Sequence, residues 1–327
     1  MNKIIIRTYP RLHLSLMGMN NEGYRINGGA GFSITSPQLT LTFIPSFESR
    51  IIDQRVVPIL DAERNRWVRI IDDCRIKNFF TTGIQCWVTG PVLPHMGLGS
   101  DTMIYLSSIE ALFLINGAQY KQEDIVFWSR RGGASGVGIN TYFTGGYVFD
   151  VGVKNRQQGI MPSSQQELPH EIPLLFKSLE VPRWKLGVCF PAKELIRTEM
   201  EELMFFKKQV GRIDADDVSR SLYEIVFGIT SSIIEYDYKV FCQSINKLQE
   251  TKWKKAESAQ YGEAVFQIEK FLLNSGADCV GMSSFGPAIY YFSENAEELS
   301  QNLCQSTYCA ESLVCYLNNK PRELMYD

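Results

Sequence analysis

His95-Met96-Gly97-Leu98-Gly99-Ser100-Asp101-Thr102, running into Met103, Ile104, Leu106, Ile109, Leu112, Phe113 and Ile115, is the stretch on which the fold turns. Two glycines let the backbone approach a ligand closely, Ser100 stands where a helix N-cap belongs, and the residues after it are apolar at mostly helical spacing. Free amides and the positive end of the helix dipole then face one spot, a geometry that suits a phosphate. Apolarity on every side predicts that this helix is buried at the centre of the molecule. A second glycine turn, Gly281-Met282-Ser283-Ser284-Phe285-Gly286-Pro287, recurs near the far end.

Working outward, Ile4 to Ile6, Leu12 to Met17, Phe32 to Ile34, Leu39 to Phe43 and Ile84 to Thr89 read as strands, the last feeding the first glycine turn. Glu123 to Arg130 reads as a helix, followed by a glycine-rich segment at 131–138 and a strand from Gly146 to Val151. The stretch Asn155 to Pro173 carries Gln, Ser, Pro and Gly without periodicity and reads as a loop, placing the boundary between two lobes, 1–160 and 161–327. His170, in this loop, reads as incidental. Beyond it, Trp184 to Phe190 is a strand, Glu194 to Gln209 a helix, Asp216 to Leu248 one or two helices and Ala259 to Leu273 another. Short strands at Cys279 to Met282 and Ala288 to Phe292 flank the second glycine turn, with a helix over Ala296 to Leu303 and a strand at Ser312 to Tyr316. The pattern argues α+β.

Composition narrows the function. The 327 residues carry 33 Lys and Arg against 36 Asp and Glu, a net charge of −3, without the basic excess of a general nucleic-acid binder, so a phosphate ligand is expected on a small molecule. No run approaches the ~20 apolar residues of a membrane span. The eight cysteines include no CxxC pair and mostly sit in apolar stretches, and no signal-peptide pattern opens the chain, which implies free thiols in a reducing cytoplasm.

The motifs together resemble a known superfamily. A Gly-Leu-Gly-Ser turn opening a buried helix, with a glycine turn before a late strand, is similar to the GHMP kinases. Within it, Pro10-Arg11-Leu12-His13, Gly28-Gly29-Ala30-Gly31, His95 to Ser100, Arg131-Gly132-Gly133-Ala134-Ser135-Gly136-Val137-Gly138, Gly145 to Asp150 and Ser283 to Pro287 resemble the β-ribofuranosylaminobenzene 5'-phosphate synthases, in the same order and across most of the chain. The resemblance implies a GHMP-kinase-like two-lobe fold, with an N-terminal lobe like domain 2 of ribosomal protein S5 and a ferredoxin-like C-terminal lobe. It implies a homodimer, and a reaction that joins phosphoribosyl pyrophosphate to an aromatic carboxylic acid of the 4-aminobenzoate, 4-hydroxybenzoate or heteroaromatic type. Pyrophosphate and CO2 leave and a carbon-carbon glycosidic bond remains, a step toward methanopterin or a C-nucleoside.

Chemistry separates this reading from a kinase. A GHMP kinase with a catalytic aspartate carries it in a Ser-Gly-any-Asp arrangement that prepares an acceptor hydroxyl. Here that register reads Ser135-Gly136-Val137-Gly138, with no carboxylate to act as base. Displacing pyrophosphate from an anomeric carbon needs leaving-group charge stabilised and a ring held in line, and loss of CO2 restores aromaticity without an obligatory base. An ATP-dependent small-molecule kinase is the alternative, and a ligand-binding relative without activity the third reading.

Roles follow for individual residues. Gly97, Leu98, Gly99, Ser100 and Thr102 are expected to cradle phosphate or pyrophosphate, against an ordinary tight strand-to-helix turn. Asp101 either bridges through Mg²⁺ to the pyrophosphate or points away as a helix-start residue. Arg11 and His13, two apart on a strand, face one side and are candidates to pair with a carboxylate or phosphate, against a surface arginine beside a half-buried histidine. His95 donates to phosphate or moves protons, or caps the preceding loop. Arg131, Ser135 and Gly136 are expected at an anion. Asp150, ending an apolar strand, is a candidate catalytic residue, as Mg²⁺ or ribose-hydroxyl ligand. Gly28, Gly29 and Gly31 close over the ribose or make a hairpin turn, and Ser283, Ser284 and Gly286 line the cleft from the second lobe. Met103 stands where the synthases carry a polar residue, and Asp150-Val151-Gly152-Val153 stands where they carry Asp-Gly followed by histidine, which leaves the particular aromatic acid open.

Overall fold

The computed structural model describes residues 2–156, 162, 171–191, 195, 197–209 and 211–327. His170, the start of the expected helix at Glu194 and the 160/161 boundary itself lie outside the described residues. In chain order the strands are β1 (Ile4–Thr8), β2 (Arg11–Gly18), β3 (Arg25–Ser33), β4 (Leu39–Ser46), β5 (Arg50–Asp53), β6 (Gly83–Thr89), β7 (Tyr147–Asp150), β8 (Val153–Lys154), β9 (Leu175–Leu179), β10 (Lys185–Phe190), β11 (Cys279–Met282), β12 (Ile289–Phe292), β13 (Glu311–Tyr316) and β14 (Glu323–Tyr326). The helices are α1 (Asp61–Lys77), α2 (Ser100–Ile115), α3 (Gln122–Ser129), α4 (Val137–Thr144), α5 (Glu199–Gln209), α6 (Ala215–Tyr223), α7 (Ser231–Glu235), α8 (Tyr238–Gln249), α9 (Lys252–Ser258), α10 (Glu263–Asn274) and α11 (Ala296–Cys304), with a π-helical stretch at Glu224–Thr230.

Three sheets result. One runs β14-β1-β4-β6-β5, a second β2-β3-β7-β9 with β8 also paired to β3, and a third β11-β12-β10-β13. β1 alternates buried and half-buried residues, as a strand with one covered face should, whereas β2 is buried at six consecutive positions because both of its faces are covered. The apolar run after Ser100 forms α2 as expected, and it packs against β1, β4 and β6 and against α1, α3 and α4. The third sheet is also double-faced. Leu186, Val188, Tyr290 and Phe292 join the main core, while Cys189, Ile289 and Tyr291, one step out of phase, pack with α10 and α11 residues.

β9 pairs with β7 and β14 pairs with β1, so two strands from the C-terminal half complete sheets of the N-terminal half. The core is continuous as well, with Phe32 of β3 against Phe292 of β12 at 5.9 Å between ring centres and Phe241 of α8 at 6.2 Å. α1 and α4 correct the sequence reading. α1 shows an i, i+3, i+4, i+7 stripe of Trp67, Ile70, Ile71 and Cys74, and α4 starts inside what reads as a glycine loop because Ser135 Oγ accepts the Val137 N–H at 3.1 Å. Six of the eight cysteines are buried and all eight are free thiols. No helix among the described residues is long and apolar enough to cross a membrane.

Candidate active site

β6 leaves its sheet at Thr89 and the chain reaches α2 through two left-handed glycines. A Cβ on Gly97 (φ +79) would sit 2.3 Å from the Ser283 carbonyl oxygen, and one on Gly99 (φ +80) would sit 3.2 Å from the Arg11 side chain. The N-cap of α2 is Gly99, and not Ser100, which is the first helical residue and turns its hydroxyl to Asp101 Oδ1 at 3.1 Å. A glycine cap has no side chain to satisfy the first amides, so these remain available to a ligand.

The second glycine turn docks directly on the first. Ser283 Oγ donates to the Gly97 carbonyl at 2.7 Å and accepts the His13 N–H at 3.0 Å. The Ser284 N–H donates to the His13 carbonyl at 2.9 Å and the Ala288 N–H to the Met96 carbonyl at 3.1 Å. Arg11 donates from Nη1 to the Gly97 carbonyl. Above this junction lies a cleft of two overlapping chambers. Both chambers share Arg11, His95, Asp101, Thr102, Arg131 and Ser284. The first adds Gly97, Gly99, Ser100 and Gly286; the second adds His13, Ser135 and an apolar wall of Leu16, Ala134, Ile139 and Phe206.

Charge in the cleft is mixed. Burial and then Arg131 push Arg11 down to about 10, still a cation at neutral pH. Burial opposes charge on His95, but Asp101 and then Glu63, whose Oε1 lies 2.8 Å from Nε2, raise it to about 9, so His95 is an imidazolium. Asp101 is held below the usual carboxylate range: burial works against its charge, and His95 and Arg131 outweigh it. Arg131 donates from Nε to Thr102 Oγ1 at 3.3 Å and lies over the Tyr105 ring at 5.6 Å. His13 differs. Burial, then Arg11 and Lys254, hold it well below its ordinary value, so it is neutral and is no counter-ion for an anion.

A β-ribofuranosylphenol 5'-phosphate synthase of Methanothermobacter thermautotrophicus is 26% identical over 298 residues, 88% of this chain and 88% of its own. One from Archaeoglobus fulgidus is 27% identical over 327 residues, 98% of each. Over most of its length the chain is similar to these synthases. No family model matches it. The chain shares its fold with the GHMP kinases: a homoserine kinase from Cytophaga hutchinsonii superposes with a TM-score of 0.71 at 15% identity, over 99% of this chain and 98% of its own.

Several expected site residues stand behind the cleft and do not line it. Asp150 is fully buried; its Oδ2 accepts from Ser135 Oγ at 3.0 Å and the Gly136 N–H at 2.8 Å, and its Oδ1 from the Gly152 N–H at 3.0 Å. Burial lifts it to about 6 against those hydrogen bonds. It ties the glycine segment to β7 and is not exposed to a substrate or metal. Gly28, Gly29 and Gly31 lie within β3, not in a hairpin turn or a closing loop. A Cβ on Gly29 would come within 2.6 Å of both His13 Nε2 and Ser135 Oγ, so the glycine is there for close packing. Leu98 is in the core, Gly136 serves Asp150 with its amide, and Ser283 is fully buried at the lobe junction. Asp101 does face the cleft, contrary to the reading that turns it away.

The sequence reading missed the contribution of α5. Glu199, Glu202 and Phe206, at i, i+3 and i+7, all line the cleft. Burial, only partly offset by Arg131 and reinforced by Glu199 and Asp101, lifts Glu202 to about 7. Behind the second glycine turn, the buried Lys254 Nζ donates to Glu257 Oε2 at 2.7 Å and to the Met282 carbonyl at 2.8 Å. Spacing could have pointed to the α5 stripe; nothing local marks Lys254 as buried.

Proposed function

We propose that the protein condenses phosphoribosyl pyrophosphate with an aromatic carboxylic acid, releasing pyrophosphate and CO2 and leaving a C-glycosidic bond. The observation that carries this reading is an anion seat beside a ring seat in one cleft. The glycine-capped start of α2 between Arg11 and Arg131 suits a pyrophosphate, and the adjoining chamber, walled by Leu16, Ala134, Ile139 and Phe206, suits an aromatic ring. The phenol in the relatives' printed name favours a 4-hydroxybenzoate-type acceptor.

Each component of the reaction has a counterpart in the cleft. The α2 amides, Arg11, Arg131 and the His95 imidazolium stabilise charge growing on the departing pyrophosphate, fixed in place before the reaction begins. The ring carbon bearing the carboxylate forms its bond to the anomeric carbon as the bond to pyrophosphate breaks. The electron pair of the ring–carboxylate bond then returns to the ring as CO2 leaves. Gly138, which lines the ring chamber, offers no base, and none is obligatory.

Asp101 is the carboxylate best placed for Mg²⁺, since it starts α2 and faces the cleft. Mg²⁺ is commonly held by one or two carboxylates together with substrate phosphates and water. Bound there, the ion would neutralise leaving-group charge. A cytoplasmic location, supported by the buried free thiols, and a homodimer complete the reading.

Calorimetry with phosphoribosyl pyrophosphate and with ATP, each with Mg²⁺, tests it. Binding of the first is expected; tight binding of ATP alone would overturn the proposal in favour of a kinase.

A further inference from the structure

His13 is 4% exposed and faces the second chamber of the cleft, yet neither ring nitrogen has a hydrogen-bond partner among the described residues. A largely buried imidazole that lines a cavity and has no partner among the described residues is placed to take one from a ligand. The surroundings hold the ring in place. The backbone on either side is clamped by Ser283 and Ser284, and Gly29 beneath leaves room for Nε2 where a Cβ would come within 2.6 Å. Ser135 Oγ, which lies on the same side of Gly29, donates to Asp150 and accepts the Val137 N–H.

The chamber is mixed in character, with Asp101, Glu199 and Glu202 lining it beside an apolar side. Arg11 and Arg131 stand where the two chambers join; Leu16, Ala134, Ile139 and Phe206 make the walls. Arg11 and His13 are two residues apart on β2, and two residues along a strand span about 6 to 7 Å, the length of a benzoate from its carboxylate to a para substituent.

We propose that the second chamber seats the aromatic acceptor with its carboxylate at the junction with the first chamber, beside the arginines that hold the pyrophosphate, and that the His13 imidazole reads the para substituent by accepting a hydrogen bond from a phenol O–H. The inference rests on the synthase reading above and assigns the acceptor's orientation within it. It also gives His13 a part in the chemistry. As the ring carbon bonds to the anomeric carbon and the bond to pyrophosphate breaks, positive charge spreads to the para oxygen and the hydrogen bond strengthens. When CO2 leaves, the pair from the broken carbon-carbon bond returns to the ring and the charge is gone, with no net proton transferred.

Calorimetry with Mg²⁺ and pyrophosphate present, titrating 4-hydroxybenzoate and 4-fluorobenzoate, tests this. The fluoro compound matches the size and cannot donate. Wild type is expected to prefer the hydroxy acid by roughly 10- to 100-fold. His13→Phe is expected to bind both within about threefold while still binding phosphoribosyl pyrophosphate. His13→Gln, which retains an acceptor, should restore part of the preference. Equal affinities in wild type, or a full preference surviving in His13→Phe, would overturn the inference, and the wild-type comparison decides alone if the Phe variant does not fold. Absence of phosphoribosyl pyrophosphate binding to wild type would sink the synthase reading instead, so the two failures are distinguishable.

Discussion

Ser283 Oγ lies 2.7 Å from the carbonyl of Gly97, a residue 186 positions earlier, and through this one hydrogen bond the two glycine turns of the chain become a single unit at the floor of the cleft. The same hydroxyl accepts the His13 N–H, so one buried serine sets the relation of β2, the start of α2 and the second turn.

Ser283→Ala removes the donor and the acceptor together. Expected losses are about 1 to 3 kcal/mol of stability and a raised KM for phosphoribosyl pyrophosphate, with acceptor KM less affected. Chemical denaturation and steady-state kinetics check both. An unchanged KM would separate the junction from the anion seat.

Gly99→Val places a branched side chain at φ +80 and against Arg11, 3.2 Å away already from a bare Cβ. Pyrophosphate binding measured by calorimetry is expected to disappear, because the strained cap displaces both the α2 amides and the arginine. Normal binding would show that the start of α2 is not the cradle.

Asp150→Asn keeps one acceptor oxygen but turns an NH2 group toward an N–H of Gly136 or Gly152, both of which now donate to the carboxylate. The variant should lose about 1 to 3 kcal/mol of stability while the folded fraction still binds pyrophosphate. Lost binding at unchanged stability would return Asp150 to the site.

His95 should give the protein a distinctive pH dependence. Its folded value of about 9 lies above its ordinary value of 6.5, so the stability it contributes is fully present below pH 6.5 and is lost as pH rises through 9. Denaturant unfolding in metal-free buffer at pH 6 and pH 9.5 should differ, through this residue, by on the order of 3 kcal/mol. His95→Gln should remove that difference.

Much of this arrangement is written locally. The apolar run after Ser100 could form only a buried helix, and the glycines at 97 and 99 mark its close approach to something else. Other parts depend on partners that no local pattern names. Asp150 reads as a cleft ligand because the sequence shows an isolated carboxylate ending an apolar strand and hides the two amides and the hydroxyl that satisfy it. Glu194 to Gln209 reads only as a helix, and the packing of α5 over the cleft is what makes Glu199 and Glu202 lining groups. β9 and β14 were not legible at all as members of the N-terminal sheets, since strand pairing across the two halves is decided by topology and not by composition.

The central claim is that the cleft joins a ribose to a decarboxylating ring. Its most direct test is the stoichiometry of release when the protein is incubated with Mg²⁺, phosphoribosyl pyrophosphate and carboxyl-labelled 4-hydroxybenzoate. Labelled CO2 and pyrophosphate should appear in equal amounts, together with a ribosylphenol phosphate stable to acid. Pyrophosphate without CO2, or turnover that requires ATP and ignores phosphoribosyl pyrophosphate, would contradict the claim.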